Sequence, residues 1–309
     1  MMGDTTRWDH VVTPVLGRTA PGASREEVVA HLRRASTELR RRDPLMIAHS
    51  GNGHIGGDYS IADVLVTLVL HELNLDPADP LKADRDRLIL SKGHTAGALY
   101  IALALAGYFP VEELMTFMDP GSRLSGHPNR GYIPGIEANT GALGHGLPIG
   151  VGAALAAKLD GSPRRTVVLM GDGELQEGSN WEALMAGAQF GLDRLYAVCD
   201  RNRLQMGTPT EQTIALEPLA DRARAFGWHV VEIDGHDHGQ ILDAFAAAPA
   251  PGKPTFVISH SHKGYPISFM SDKVSRHHHV PTPDEIDAIL NELTPDDIDA
   301  ILSELEEQK

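Results

Sequence analysis

Thr166-Val-Val-Leu-Met170 runs directly into Gly171-Asp172-Gly173-Glu174, and further on Leu195-Tyr-Ala-Val-Cys199 runs into Asp200-Arg-Asn202-Arg-Leu204. Each apolar run is short, rich in β-branched residues and without a polar alternate face, which predicts strands buried on both sides. Residues 87–91, 229–234 and 255–260 read the same way, and helical stretches fit between all of them. That alternation predicts an α/β fold, a doubly wound parallel sheet with helices on both faces. In such sheets ligands collect beyond the carboxyl ends of the strands. Gly171-Asp172-Gly173 and Asn202 fall at two such ends.

The residue types at these ends suit a metal and a phosphate. Gly171 and Gly173 allow a tight turn and close backbone approach, and the helix that follows presents free N–H groups to a diphosphate. Asp172 and Asn202 supply hard oxygens for a small divalent cation that bridges to phosphate oxygens. A second group of residues suits proton handling. His54, His94 and His127 each sit in a glycine-containing segment, where an imidazole that titrates near neutrality can donate or accept while the backbone closes on a sugar-sized ligand.

Composition narrows the partners. The 309 residues are 42% hydrophobic, enough for one large core or two modest ones, and the net charge of −15 with scattered Lys and Arg argues against nucleic acid. Cys199 is the only cysteine, so no disulfide framework or thiolate zinc site can form within the chain. No stretch approaches the length of a bilayer span, and the expectation is a soluble, cytoplasmic protein without a membrane partner.

Ser24 with Glu27 has capping-box spacing and predicts a helix to about Arg42, stopped by Asp43-Pro44, and Ser60 predicts a cap for a second helix over 61–73. The expected organisation is an N-terminal extension over 1–23, a ligand-binding domain over 24–281 and an acidic tail over 282–309. In that tail Thr282-Pro-Asp-Glu-Ile-Asp-Ala-Ile-Leu-Asn-Glu-Leu293 is followed by a near copy, Thr294-Pro-Asp-Asp-Ile-Asp-Ala-Ile-Leu-Ser-Glu-Leu305. Each copy predicts a short helix with an Ile/Leu stripe, either a solvated tail packing one stripe on the body or a docking element. Lying beyond the last strand, the tail is expected to be removable without loss of the fold.

The Gly-Asp-Gly and the later Asn at the next strand end resemble the thiamine diphosphate signature. His49-Ser-Gly-Asn-Gly-His54-Ile-Gly-Gly57, Ser91-Lys-Gly-His94, Ser125-Gly-His127-Pro128 and Thr140-Gly-Ala-Leu-Gly144-His145-Gly146 follow the order of the first half of transketolases. The resemblance covers about 25–277, and its length is similar to the N-terminal subunit of split, two-component transketolases. It implies thiamine diphosphate and Mg²⁺ as cofactors, with Asp172, Asn202 and the carbonyl of Leu204 as metal ligands. His94, Gly144, His145, Gly171, Gly173 and Glu174 would contact the cofactor. His54, His94, His127 and His277 would line the channel at its reactive carbon, and Glu177 would join a carboxylate chain across a dimer interface. His145 stands where full-length forms usually carry Gln, and split forms often have His.

The implied reaction moves a two-carbon ketol unit from a ketose to an aldehyde. It requires a separate C-terminal subunit carrying the pyrimidine-binding domain, expected as an α₂β₂ assembly. A 2-oxo acid donor, a secondary-metabolite acceptor and a non-catalytic scaffold are the alternative readings. The sequence departs from the family at Arg276-His277-His278-His279, where Trp-His-Gly is usual. That triplet is a poor metal site, because three consecutive residues cannot all face one ion.

Overall fold

The computed structural model describes residues 6–293. Its strands are β1 (Arg87–Leu90), β2 (Thr166–Gly171), β3 (Leu195–Arg201), β4 (Leu204–Gln205), β5 (Thr208–Pro209), β6 (His229–Asp234) and β7 (Thr255–His260). Five of them form one parallel sheet in the order β1-β2-β3-β7-β6, and β4 and β5 pair as a small antiparallel hairpin. The five sheet strands are those expected from sequence. Register sets the ends of three central strands level, with Gly171 opposite Asp200 and Asp200 opposite Ser259.

Helices cover both faces, as the apolar strands require. On one face Leu90, Leu169, Val198 and Val257 pack with α1 (Arg25–Ser50), α2 (Ile55–Thr67) and α3 (Ala96–Ala106). On the other, Ile89, Met170, Cys199 and Ile258 pack with α4 (Gly146–Leu159) and α5 (Gly178–Gln189). Successive residues of β1, β2, β3 and β7 thus bury into opposite cores, while the edge strand β6 leaves His229, Glu232 and Asp234 exposed. The one-turn α6 (Thr210–Thr213) follows the hairpin, α7 (Leu219–Ala225) joins the second face, and α8 (His238–Ala246) joins the first. Among the described residues no helix is long and apolar enough to cross a membrane.

Two helices differ from expectation in their bounds. The first helix has the expected capping box of Ser24 and Glu27, but α1 continues through Pro44 to Ser50 and ends at Gly51 with φ +69°. Proline costs a helix the hydrogen bond to the carbonyl four residues back. Here that carbonyl, of Arg40, accepts instead from the Tyr59 hydroxyl, and burial of Leu45, Met46 and Ile47 favours continuation. The second helix begins at Ile55 and ends at Thr67, followed by one π-helical turn over Leu68–Glu72. Ser60 is therefore internal, and its hydroxyl donates to Gly57 O and to the Asp200 carboxylate. Gly56 and Gly57 read as loop but are close-packing residues. A Cβ on Gly56 would lie 2.5 Å from Arg276 O, and one on Gly57 would lie 2.9 Å from Thr95 Cγ2.

The first tail copy forms the expected helix, α9 (Pro283–Glu292), capped by Thr282 with Glu285 completing a capping box. The second copy lies outside the described residues. Ile286 packs with Trp8, Val11 and Leu45, while Ile289 and Leu293 pack with Ile47, Ile55, Tyr59, Ile267 and Met270. The first copy thus packs its stripe on the body, one of the two readings of the tail, and the burial of that stripe against the helix that starts at the His54 segment argues against a removable tail. Deleting residues 282–309 is expected to lower the melting temperature markedly, since truncating even one buried isoleucine to alanine costs about 2–5 kcal/mol. A truncated chain that melts with the full-length protein would contradict this packing.

Candidate active site

A cavity of about 420 Å³ opens beyond the carboxyl ends of β2, β3 and β7. Its lining brings together His54, His94, His127, His277, Gly171, Asp172, Gly173, Glu174, Glu177, Asn202 and Leu204, which come from six separate segments of sequence. Gly144 and His145 are not in the lining. Gly144 is buried behind it, and His145 is exposed, with its Nδ1 against Leu143 O.

Asp172 and Asn202 form the floor. Asp172 Oδ1 accepts from Gly173 N, and Oδ2 accepts from Arg201 Nη1 (2.8 Å) and Arg203 N (2.6 Å). Burial, with Asp200 nearby, raises the Asp172 carboxyl above its ordinary range. Asn202 Nδ2 donates to Asp200 Oδ2 (2.9 Å), which fixes the amide so that Oδ1 points the other way and accepts from Leu204 N. The Leu204 carbonyl accepts from Lys263 Nζ at 2.7 Å.

Asp200 is the hub beneath this floor. It accepts from Lys92 Nζ (2.5 Å), Ser60 Oγ (2.7 Å), Asn202 Nδ2 and Ser261 Oγ. Burial alone would raise its carboxyl, but the Lys92 ammonium and these hydrogen bonds hold it below the ordinary value. Glu174 plays a similar part at the side of the cavity. Its carboxylate accepts from Ser91 Oγ, Gly144 N and Gly171 N, so it ties three loops together and has its oxygens occupied by protein donors. Close packing explains Gly144 itself, where φ is +83° and a Cβ would lie 2.6 Å from Glu177 Cβ.

The histidines ring the mouth. His54 precedes the first residue of α2, His94 lies in the 3-10 turn Gly93–Thr95, and His277 follows the turn Val274–Arg276. The ring centroids of His54 and His94 are 5.0 Å apart, and His277 stands 5.7 Å from His54 and 5.6 Å from His94. Burial, then the neighbouring imidazoles and lysines, pushes His54 down to about 4, and burial with Lys263 pushes His277 down to about 3. His94 is likewise lowered, by burial and Lys92. All three are neutral rings at neutral pH, able to donate and accept. His127 is exposed and lies against Gly141, where a Cβ would be 2.9 Å from its ring. Glu177 is exposed at the rim in the single chain.

Two lining lysines escaped the sequence reading. Lys92 sat inside the quoted Ser91-Lys-Gly-His94 without a role. Lys263, directly after β7, could have been found by the same strand-end argument that located Asp172. Lys263 Nζ contacts His277 Nδ1 at 2.8 Å as well as Leu204 O, and burial with Lys92 nearby lowers it to about 8.

The fold and cavity can be set beside known proteins. A family model described as transketolase, thiamine diphosphate binding domain, matches residues 37–300. The chain belongs to the transketolase family. An apulose-4-phosphate transketolase subunit from Actinobacillus succinogenes is 44% identical over 263 residues, 85% of this chain and 95% of that one. A 6-deoxy-6-sulfo-D-fructose transketolase subunit from a Clostridium species is 43% identical over 248 residues, covering 80% of this chain and 90% of its own length. Human transketolase is 36% identical over 232 residues, 74% of this chain but 36% of the human one. The solved structure of transketolase from Leishmania mexicana superposes with a TM-score of 0.80 at 28% identity, over 87% of this chain and 43% of that one. The two named subunits are thus matched over nine-tenths or more of their length, and the human and Leishmania transketolases over less than half of theirs. As a transketolase-type chain it is a thiamine diphosphate-dependent transferase.

Proposed function

We propose that this chain binds Mg²⁺ and the diphosphate of thiamine diphosphate through Asp172, Asn202 and the Leu204 carbonyl. With a separate second subunit, it transfers a two-carbon ketol unit from a ketose to an aldehyde. The observation that carries this reading is the single cavity with hard oxygen donors at its floor and neutral imidazoles at its mouth.

The residues present fit both groups. A carboxylate, an amide oxygen and a backbone carbonyl are the donor set that a small hard cation takes. A Cβ on Gly173 would stand 3.0 Å from Gln205 Cβ, so the turn is built for close approach. Gln205 Oε1 is buried without a hydrogen-bond partner, an acceptor that a polar ligand in this cavity would satisfy. The cations Lys92 and Lys263 in the lining suit an anionic occupant.

When bound, thiamine diphosphate supplies the carbon nucleophile and electron sink for breaking and making the carbon–carbon bond. The chain's residues hold and orient what reacts. Lys263 donates to His277 Nδ1, which leaves the proton of the neutral ring on Nε2 as a donor toward a carbonyl or hydroxyl oxygen. His54 and His94, neutral and close together, can hold substrate hydroxyls, and exposed His127 reaches the outer part of the channel. The names of the relatives support a sugar or sugar phosphate substrate and a partner subunit. Glu177 at the rim, with Ile149, Met185 and Phe190 exposed on and beside α4 and α5, supports a symmetric contact between two copies in an α₂β₂ assembly. A lone buried, unpaired cysteine fits a reducing cytoplasm.

His94→Ala and His127→Ala are each expected to lower kcat about 100-fold, the usual scale for a positioned acid–base group, with little change in cofactor affinity. Steady-state kinetics on the two-subunit enzyme, with calorimetry of cofactor binding, checks this. Lost cofactor binding with normal residual turnover would contradict the placement.

A further inference from the structure

The duplicated acidic tail has no part in the chemistry above, yet its first copy reaches the segment that carries His277. That segment, 276–279, is held on its inner side by the His54 loop. His54 and His279 form a parallel β-bridge, Gly56 is kept free of a side chain by Arg276 O, and His278 Nε2 lies 2.7 Å from Asn52 Oδ1. On its outer side stands Glu285. Its carboxylate accepts from Arg276 Nη1 (2.6 Å), His279 Nε2 (2.8 Å) and Thr282 N (2.9 Å). Partial burial would raise this carboxyl, but those hydrogen bonds win and hold it at about 2, so it stays ionised.

The arm that bears Glu285 is anchored by packing and at its far end by hydrogen bonds. Ile286, Ile289 and Leu293 anchor α9 in the core, and Glu292 closes its far end by accepting from Ser268 N and Oγ, both at 2.8 Å. One charged side chain therefore grips the two residues, Arg276 and His279, that flank His277 and His278. We propose that Glu285 is a positioning residue, the catch by which the first tail copy latches the His277 segment against the His54 loop at the channel mouth. The inference rests on His277 lining the substrate channel. The second tail copy carries Asp297 at the matching position, a carboxylate one methylene shorter.

The test compares Glu285→Ala, Glu285→Asp and Glu292→Gln. Glu292→Gln weakens the other end of α9 without touching the latch. Amide hydrogen exchange on the full chain alone reads the latch directly, and is expected to quicken about tenfold or more over 274–280 in Glu285→Ala but not in Glu292→Gln. In the two-subunit enzyme, kcat/KM for the ketose is expected to fall about 100-fold in Glu285→Ala, the cost of a misplacement near 1 Å, with cofactor affinity unchanged. Glu285→Asp should lie between, since the charge is kept and the reach is lost. Unchanged exchange over 274–280 would overturn the latch. So would kinetic losses in Glu285→Ala no larger than those in Glu292→Gln, since they would reflect helix stability alone. If wild-type enzyme shows no ketol transfer, the functional reading fails while the exchange result still judges the latch.

Discussion

Asp172→Ala is expected to weaken thiamine diphosphate binding in the presence of Mg²⁺ by more than about 100-fold, since even losing a group that only supports a metal ligand costs 10–100-fold. Asp172 is the only carboxylate among the proposed metal ligands, so its removal leaves the diphosphate and metal charges unmatched at the floor. It also frees Arg203 N and takes one partner from Arg201, whose side chain is fully buried. Asp172→Asn separates the two effects, keeping an acceptor for those donors while losing the charge. Asn202→Ala should act in the same direction but more weakly, because a neutral ligand is lost. Calorimetry with the second subunit present, at several Mg²⁺ concentrations, measures all three. Unchanged affinity and unchanged Mg²⁺ dependence in Asp172→Ala would refute the assignment of the floor.

Among single substitutions, the largest expected effect on stability is at Lys92. Its ammonium and the Asp200 carboxylate are each only 2% exposed and stand 2.5 Å apart beneath the cavity. Lys92→Met should cost about 3–5 kcal/mol, because removing one partner of a buried pair strands the other charge in a poor solvent for it. The hydroxyls of Ser60 and Ser261 remain on Asp200 but cannot neutralise it. Adding Asp200→Asn to Lys92→Met should recover much of the loss, since a neutral amide leaves no stranded charge and keeps an acceptor for the donors of Ser60, Ser261 and Asn202. Urea unfolding gives the numbers. A single Lys92→Met variant with the parental midpoint would show that Asp200 does not depend on the lysine.

The same network shows why part of the site was legible in sequence and part was not. Asp172 and Asn202 could be found because apolar strands announce their own ends, and ligand oxygens at strand ends carry a recognisable pattern. Strands β1, β2, β3 and β7 are legible for the same reason, buried along nearly their whole length, whereas the short pair β4 and β5 carries no such signal. Pro44 misled because its helix-breaking cost is local, whereas the compensating Tyr59 hydroxyl arrives from another helix. Ser60 and Gly56-Gly57 misled in the opposite sense. Their propensities speak of a cap and a loop, but a serine that donates to Asp200 and glycines pressed against Arg276 O and Thr95 are set by tertiary packing. The resemblance implies that Glu174 contacts the cofactor, and nothing in its sequence context signals that its carboxylate accepts from Ser91, Gly144 and Gly171. The tail stripe was visible as a stripe, yet nothing in its spacing told that Ile286, Ile289 and Leu293 fill the core beside α1 and α2.

On the proposed function this cavity is half of an active site, completed by a second subunit. The most direct measurement is reconstitution: the purified chain is assayed for ketol transfer from a range of ketoses to a range of aldehydes, with Mg²⁺ and thiamine diphosphate saturating, first alone and then with a candidate pyrimidine-domain subunit of similar size. No turnover is expected from the chain alone, and turnover is expected on adding the second subunit; full activity from the isolated chain would contradict a two-component enzyme.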